Sequence, residues 1–252
     1  MPYNIEDYNN AVNYLKKYVK ETNQTEAYYN RRLKELKTGK PIQYIIGNVN
    51  FYGNIIEVDE SVLIPRFETE LLVDKTIKKA KQYFNNKKID ILDLGTGSGC
   101  IAITLKKELP SNVDALDISK DALKVAQRNS INNSVDINFI NDDMTTYKNK
   151  KYDLIISNPP YIKEDEEIME IVKENEPHLA LYAQDNGLYF YKKIIDNLKY
   201  LTKDKYLVAF EIGESQSTDI VDIIKNKLKD VKIDIEEDYQ HKNRFIFITN
   251  IK

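Results

Sequence analysis

The sequence predicts a doubly wound α/β fold built on a mostly parallel sheet. Three observations lead there. From residue 88 onward, apolar runs of strand length alternate with segments of helical periodicity. A glycine-rich turn, DLGTGSG (93–99), follows the first of those runs, and acidic residues close the next two. Strand–helix alternation demands parallel pairing through helical crossovers, and a ligand crevice forms beyond the carboxyl ends of such strands.

The elements follow in order. Residues 1–40 have helical character: Ala11, Val12, Leu15, Tyr18 and Val19 share one face, and Tyr29, Leu33 and Leu36 mark a second helix before Gly39 and Pro41 stop it. The short apolar runs of 42–58, punctuated by Gly47 and Gly53, predict a small β-hairpin element. A helix is expected over 68–84, with Leu71, Leu72, Ile77 and Ala80 inward. Strands are expected at 89–94, 113–117, 137–140, 152–157, 206–212, 232–236 and 245–248. The helices between them fall at 100–108, from an N-cap at Ser119 to about 129, at 188–201 and at 215–228. This divides the chain into a short helical unit (1–40), a hairpin connector (41–60) and an α/β domain (61–252).

Composition narrows the class. A chain of 252 residues, 42% hydrophobic and 31% charged, suits one large α/β domain with a small companion. No run approaches the ~18 apolar residues of a membrane helix, so no membrane partner is expected. The polar, acidic start shows neither a signal core nor a transit pattern, and the single cysteine leaves no disulfide framework. A cytoplasmic location is therefore expected. Two histidines and one cysteine, scattered, suggest no metal site. A net charge of −3 argues against a protein that binds mainly by neutralising phosphates.

The glycine loop carries the first chemistry. Its spacing is G-x-G-x-G rather than the dinucleotide G-x-G-x-x-G, which disfavours an NAD-dependent dehydrogenase. Asp117, 18 positions after Gly99, ends the second strand, where a carboxylate can accept from ribose hydroxyls. Asp142 and Asp143 follow the third strand, where a carboxylate can meet an adenine amino group. This pattern over about 88–157 resembles the class I S-adenosylmethionine-dependent methyltransferases. The resemblance implies a seven-stranded Rossmann-like methyltransferase sheet.

The fourth strand ends in SNPPYI (157–162). Proline lacks an N–H and disfavours helix in the residue before it, so Asn158 is held in an extended turn. An amide or amino nitrogen on an sp² carbon is a poor nucleophile, because its lone pair is delocalised. Two acceptors aimed at its N–H groups, the Asn158 side-chain oxygen and the Pro159 carbonyl, can orient it and return electron density to it. Pro160 adds no competing donor, and Tyr161 offers a face for a planar group. A sulfonium is already activated, so positioning is the main task and no strong base is needed.

The remaining motifs choose among planar nitrogens. PIQYIIG (41–47), LIPRFETE (63–70), NPPYI (158–162), NEPHLAL (175–181), DNGLYFYKKII (185–195) and EIGESQ (211–216) occur in that order. Together they resemble the HemK/PrmC family, the release factor glutamine methyltransferases. The resemblance implies methyl transfer from S-adenosylmethionine, leaving S-adenosylhomocysteine, to the glutamine of the Gly-Gly-Gln loop of peptide chain release factors. It implies that Gly95, Thr96, Gly97, Ser98 and Gly99 hold the methionine part of the cofactor and Asp117 the ribose. Asp143 and Met144 then flank the adenine, Asn158 borders the cofactor, and Asn158, Pro159 and Tyr161 hold the glutamine amide. A monomer with no metal and no direct nucleic-acid partner is expected.

The chain departs from that pattern in three places. Phe67 stands where the family usually has proline, His241 where relatives commonly carry glycine, and the helical region before Pro41 is shorter than usual. His178 and His241 have the character of structural residues, and Cys100, although at a helix start, of a packing residue. The acidic run 163–176 is expected to be a solvated face, or a surface that steers a basic partner. The alternative readings are a DNA or RNA amino-group methyltransferase, which calls for a recognition region or basic face, and a non-catalytic cofactor-binding module.

Overall fold

A computed structural model describes residues 3–250. Residues 1–2 of the expected helical unit and 251–252 of the expected α/β domain lie outside the described residues. Helices α1 (Ile5–Glu21) and α2 (Glu26–Leu36) begin at side-chain caps: Asn4 accepts from the Asp7 N–H and Thr25 from the Tyr28 N–H. Acidic residues in each first turn and a lysine in each last turn complement the helix dipole. Their apolar faces close over a small core centred on Leu15 and Leu36, both fully buried, each worth about 1.5–3 kcal/mol of transfer free energy.

The connector corrects one expectation. Residues 42–46 are not a strand but a short helix, α3 (Ile42–Ile46), closed by Gly47 in the left-handed region. Ile42, Ile45 and Ile46, spaced three and four apart, all face the helical core. A five-residue apolar run is ambiguous by periodicity, and the small helical core decided it. The hairpin is confined to β1 (Asn48–Phe51) and β2 (Asn54–Glu57). Tyr52 and Gly53 both take positive φ between them, as a hairpin turn with right-handed strand twist demands.

Beyond the connector the expected alternation holds. The elements are α4 (Phe67–Tyr83), β3 (Ile89–Leu94), α5 (Cys100–Glu108), β4 (Ser111–Asp117), α6 (Lys120–Asn132), β5 (Asn138–Asn141) and β6 (Tyr152–Ser157). Two short helices follow, α7 (Glu170–Asn175) and α8 (His178–Leu181), inside the region the sequence left irregular. The chain closes with α9 (Tyr189–Leu201), β7 (Thr202–Glu211), α10 (Ser217–Lys227), β8 (Val231–Glu237) and β9 (Asn243–Asn250). The seven-stranded sheet runs β5-β4-β3-β6-β7-β9-β8, parallel except for the antiparallel β9. Helices α4, α5 and α6 cover one face with the hairpin, and α9 and α10 cover the other. Strand order reverses at β3, between β4 and β6, so the crevice of a doubly wound sheet opens at Leu94, Asp117 and Ser157.

Candidate active site

The glycine loop turns directly off β3. The Gly95 and Thr96 N–H groups both donate to the Leu116 carbonyl at 2.9 Å, which ties the loop to the end of β4. Gly95, Gly97 and Gly99 all have positive φ. At Gly95 a side chain is excluded twice over: φ is +75°, and an added Cβ would lie 2.8 Å from the Met144 methyl. The Asp117 carboxylate accepts from the Gly97 N–H and the Ser119 N–H, each at 2.9 Å, and so joins the loop to the start of α6. Burial pushes its pKa upward while those two N–H groups oppose the shift.

These residues border a cavity of about 290 Å³, near the lower end of the ~300–1,000 Å³ typical of ligand sites. Of the expected cofactor residues, Gly95, Gly97, Asp117, Asp143, Met144 and Asn158 line it. Thr96, Ser98 and Gly99 do not. The Thr96 hydroxyl donates downward to the buried Asp93 at 2.7 Å, the Ser98 carbonyl accepts from Asn129, and Gly99 precedes α5 against Ala126. Asp93 is held up to about 7 by its burial. Sequence reasoning missed the opposite wall, which comes from Val62 and Leu63, from Leu179 and Ala180 of α8, and from Tyr189 and Phe190 of α9. Apart from Val62, those side chains lie in the motifs 63–70, 175–181 and 185–195, but only tertiary packing brings the motifs to this cavity. The residues present fit S-adenosylmethionine: the cradle at Gly95 excludes a side chain, the Asp117 and Asp143 carboxylates on the same cavity can accept from hydroxyl and amino groups, and the opposite wall is largely apolar.

The Asn-Pro-Pro-Tyr turn lies alongside. The Ser157 hydroxyl donates to the Leu94 carbonyl at 2.7 Å, which clamps the ends of β6 and β3 together and sets Asn158 beside the glycine loop. Asn158 lines the first cavity and also a second, of about 380 Å³, shared with Arg66, Tyr161 and Glu211. Pro160 borders the first, Tyr161 the second, and Pro159 is buried and lines neither. Asn158, Leu63 and Ala180 line both chambers, and Asn158 is the polar one of the three.

The motifs far away in sequence explain themselves here. Gln216 donates to the Tyr161 carbonyl at 3.0 Å and accepts from the Gly213 N–H at 2.9 Å. Gly187 passes so close to that carbonyl that an added Cβ would overlap it. Residues 211–216 and 185–195 therefore brace the backbone of the Asn-Pro-Pro-Tyr turn. Glu176 of the 175–181 motif accepts from the Ile64 N–H at 3.1 Å and pairs with Arg66 at 2.6 Å, joining that motif to 63–70. The Tyr44 hydroxyl donates to the Val62 carbonyl at 2.6 Å, which brings in 41–47.

Within this frame the Asn158 amide donates to Thr69 at 3.1 Å, and Thr69 donates to Glu211 at 2.7 Å. Burial raises the Glu211 pKa to about 7. Thr69 and Glu211 lie in the motifs 63–70 and 211–216, but the sequence gives them no role, because β6, α4 and β7 meet only in the folded chain.

Cys100 is buried as a packing residue, whereas His178 and His241 are both exposed. Burial pushes Cys100 up to about 12, which leaves no reactive thiolate. His178 stacks on Tyr182, and His241 pairs with Glu237 at 3.2 Å. His241 has φ +59°, the conformation that favours the glycine expected there. Phe67 starts α4 and stacks its exposed ring on Tyr239 at 5.8 Å. The acidic run is solvated apart from Glu176. Among the described residues, no helix is long and apolar enough to cross a membrane.

Comparison with known proteins agrees with this geometry. The methyltransferase small domain family model matches residues 68–181. A methyltransferase of known structure from Pyrococcus furiosus shares the fold, with a TM-score of 0.59 and 16% identity over 79% of this chain and 90% of that one. The release factor glutamine methyltransferase of Bacillus subtilis is 40% identical over 225 residues, 86% of this chain and 78% of the relative. That of Flavobacterium psychrophilum is 44% identical over 199 residues, 77% and 70% of the two chains. Likeness of that degree, running through both the glycine loop and the segments that brace Asn158, makes this chain a member of the release factor glutamine methyltransferase family.

Proposed function

We propose that this enzyme transfers a methyl group from S-adenosylmethionine to the side-chain amide nitrogen of the glutamine in the Gly-Gly-Gln motif of peptide chain release factors. The observation that carries the reading is Asn158, the one side chain of the Asn-Pro-Pro-Tyr turn bordering both the glycine-loop cavity and the neighbouring cleft. S-adenosylmethionine, when bound beside the glycine loop, supplies an electrophilic methyl group. The chain's own part is positioning. Asp117 and Asp143 provide acceptors for the hydroxyl and amino groups of the nucleoside, and Gly95 lets the backbone approach closely. On the cleft side, Asn158 Oδ1 and the Pro159 carbonyl accept the two N–H groups of the substrate amide, and the Tyr161 ring supports its plane. Two acceptors on one nitrogen favour the electron-rich form that attacks. The proton leaves after transfer, which is why no dedicated base is required.

Residues 1–40 serve in this proposal as a release-factor docking unit, 41–60 as the connector and 61–252 as the methyltransferase domain of a cytoplasmic monomer. The solvated acids of 163–176 steer a basic partner. That role predicts kcat/KM falling as salt rises, and an ionic-strength series that leaves kcat/KM flat would remove it. Membership of the family and the net charge of −3 both favour a protein substrate over nucleic acid.

The test is transfer from labelled S-adenosylmethionine to an unmodified release factor, to a copy whose Gly-Gly-Gln glutamine is replaced by alanine, and to mixed DNA and RNA. Label on the intact factor alone is expected. Label on nucleic acid would overturn the substrate, and label nowhere, with cofactor still bound, would mark a non-catalytic module.

A further inference from the structure

An amide side chain is nearly symmetric in shape and opposite in polarity at its two ends. Asn158 can aid the reaction only with its oxygen toward the cleft, since an NH₂ group there would face the N–H groups of the substrate amide. Something must therefore select one end. The structure places Thr69 of α4 against the Asn158 Nδ2 at 3.1 Å, and Glu211 at the end of β7 against the Thr69 hydroxyl at 2.7 Å. Both Thr69 and Glu211 are almost completely buried. Asn158 Oδ1 has no hydrogen-bond partner among the described residues.

We propose that Thr69 and Glu211 are positioning residues, a polarity relay that fixes which end of the Asn158 amide faces the substrate. The proposal rests on the glutamine-methylating reading above. A carboxylate only accepts, so the single Thr69 proton is committed to Glu211. Thr69 can then only accept from Asn158, which turns the Asn158 NH₂ inward and leaves its oxygen for the cleft. Give Glu211 a proton and the order reverses. The carboxyl then donates to Thr69, the Thr69 proton is released toward Asn158, and the amide is stabilised with its NH₂ outward.

The relay therefore requires ionised Glu211. Its charged neighbours are Arg66 and Glu68 at the start of α4 and Arg244 on β9, with the Tyr161 and Tyr191 phenols closing around it. Burial and Glu68 raise its pKa to about 7, while Arg244, Arg66 and the Thr69 hydrogen bond oppose them. The ionised, correctly polarised form accordingly accumulates as pH rises through about 7.

Glu211→Gln keeps the shape but can donate to Thr69. Thr69→Val keeps the shape and removes the hydroxyl, and Thr69→Ser restores it. Each variant and the wild type are assayed on an unmodified release factor, with kcat, KM and cofactor Kd measured from pH 5.5 to 8.5. Expected is a wild-type kcat that rises through about pH 7. Glu211→Gln and Thr69→Val should lose about tenfold or more in kcat with KM and cofactor Kd unchanged, and Glu211→Gln should lose the pH step. Thr69→Ser should recover most of the rate. Wild-type kcat and pH profile in Glu211→Gln would overturn the relay. So would equal losses of kcat and thermal stability in Thr69→Ser and Thr69→Val, the mark of packing alone. Should Glu211→Gln fail to fold, the two Thr69 variants decide the question. A wild type inactive on the release factor would instead overturn the glutamine reading and this proposal with it.

Discussion

The two chambers that meet at Asn158 are built in different ways. The glycine-loop wall of the cofactor side comes from a short stretch: Gly95, Gly97 and Asp117 lie within 23 positions of one another and are locked by hydrogen bonds to backbone groups at the ends of β3 and β4. The substrate side has no contiguous origin. Arg66, Tyr161, Glu176, Gly187, Glu211 and Gln216 come from separate loops and strand ends, and their side chains pack and pair around one turn. The first chamber depends on backbone shape, so adding atoms should injure it. The second depends on polar pairs, so removing a partner should.

The sharpest break is at the shared polar residue. Asn158→Ala is expected to bind S-adenosylmethionine nearly as the wild type does and to lose about 100-fold or more in methyl transfer, the scale set by deleting one preorganised polar group. Isothermal titration beside single-turnover kinetics separates the two effects. Retention of most of the rate would remove the side chain from the mechanism.

On the cofactor side, Gly95→Ala forces a Cβ against Met144 at positive φ. Left-handed strain of about 1–2 kcal/mol and the displaced Met144 should together weaken cofactor binding about tenfold or more. A matching loss for release-factor KM alone would contradict the division into two chambers.

On the substrate side, Arg66→Ala strands the Glu176 carboxylate, whose side chain is 1% exposed. Breaking a fully buried pair costs about 3–5 kcal/mol, and because Arg66 is itself 33% exposed the expected loss is about 2 kcal/mol. Thermal denaturation measures it. The cofactor Kd should move less than the release-factor KM, and the reverse order would show that the pair serves the glycine-loop side.

The smallest effect lies far from both. His241→Gly removes a side chain from a position at φ +59°, at the cost of a more flexible unfolded chain. The expected gain is about 0.5 kcal/mol with activity unchanged. Destabilisation instead would show that the His241–Glu237 contact outweighs the backbone strain.

Most of the α/β core was legible because its period-2 and period-3.6 patterns are local, and the cap at Ser119 sits where a side chain reaches its own backbone. The connector helix at 42–46 was not, since five apolar residues fit either period and a contact with Leu15 and Leu36 settled it. Helix α7 was hidden inside an acidic run and the four-residue α8 just beyond it, and the one buried acid of the run, Glu176, looks like the others until Arg66 is beside it.

The sequence by itself determined the sheet, the glycine loop, the acids at two strand ends and the rigid turn bearing Asn158. Those properties follow from steric and hydrogen-bonding rules acting over a few residues. Only the tertiary structure decided which walls face the glycine loop, why six distant motifs belong together, and that Thr69 and Glu211 stand behind Asn158. Such pairings depend on side chains separated by as many as 142 positions, and no local rule of backbone or periodicity records them.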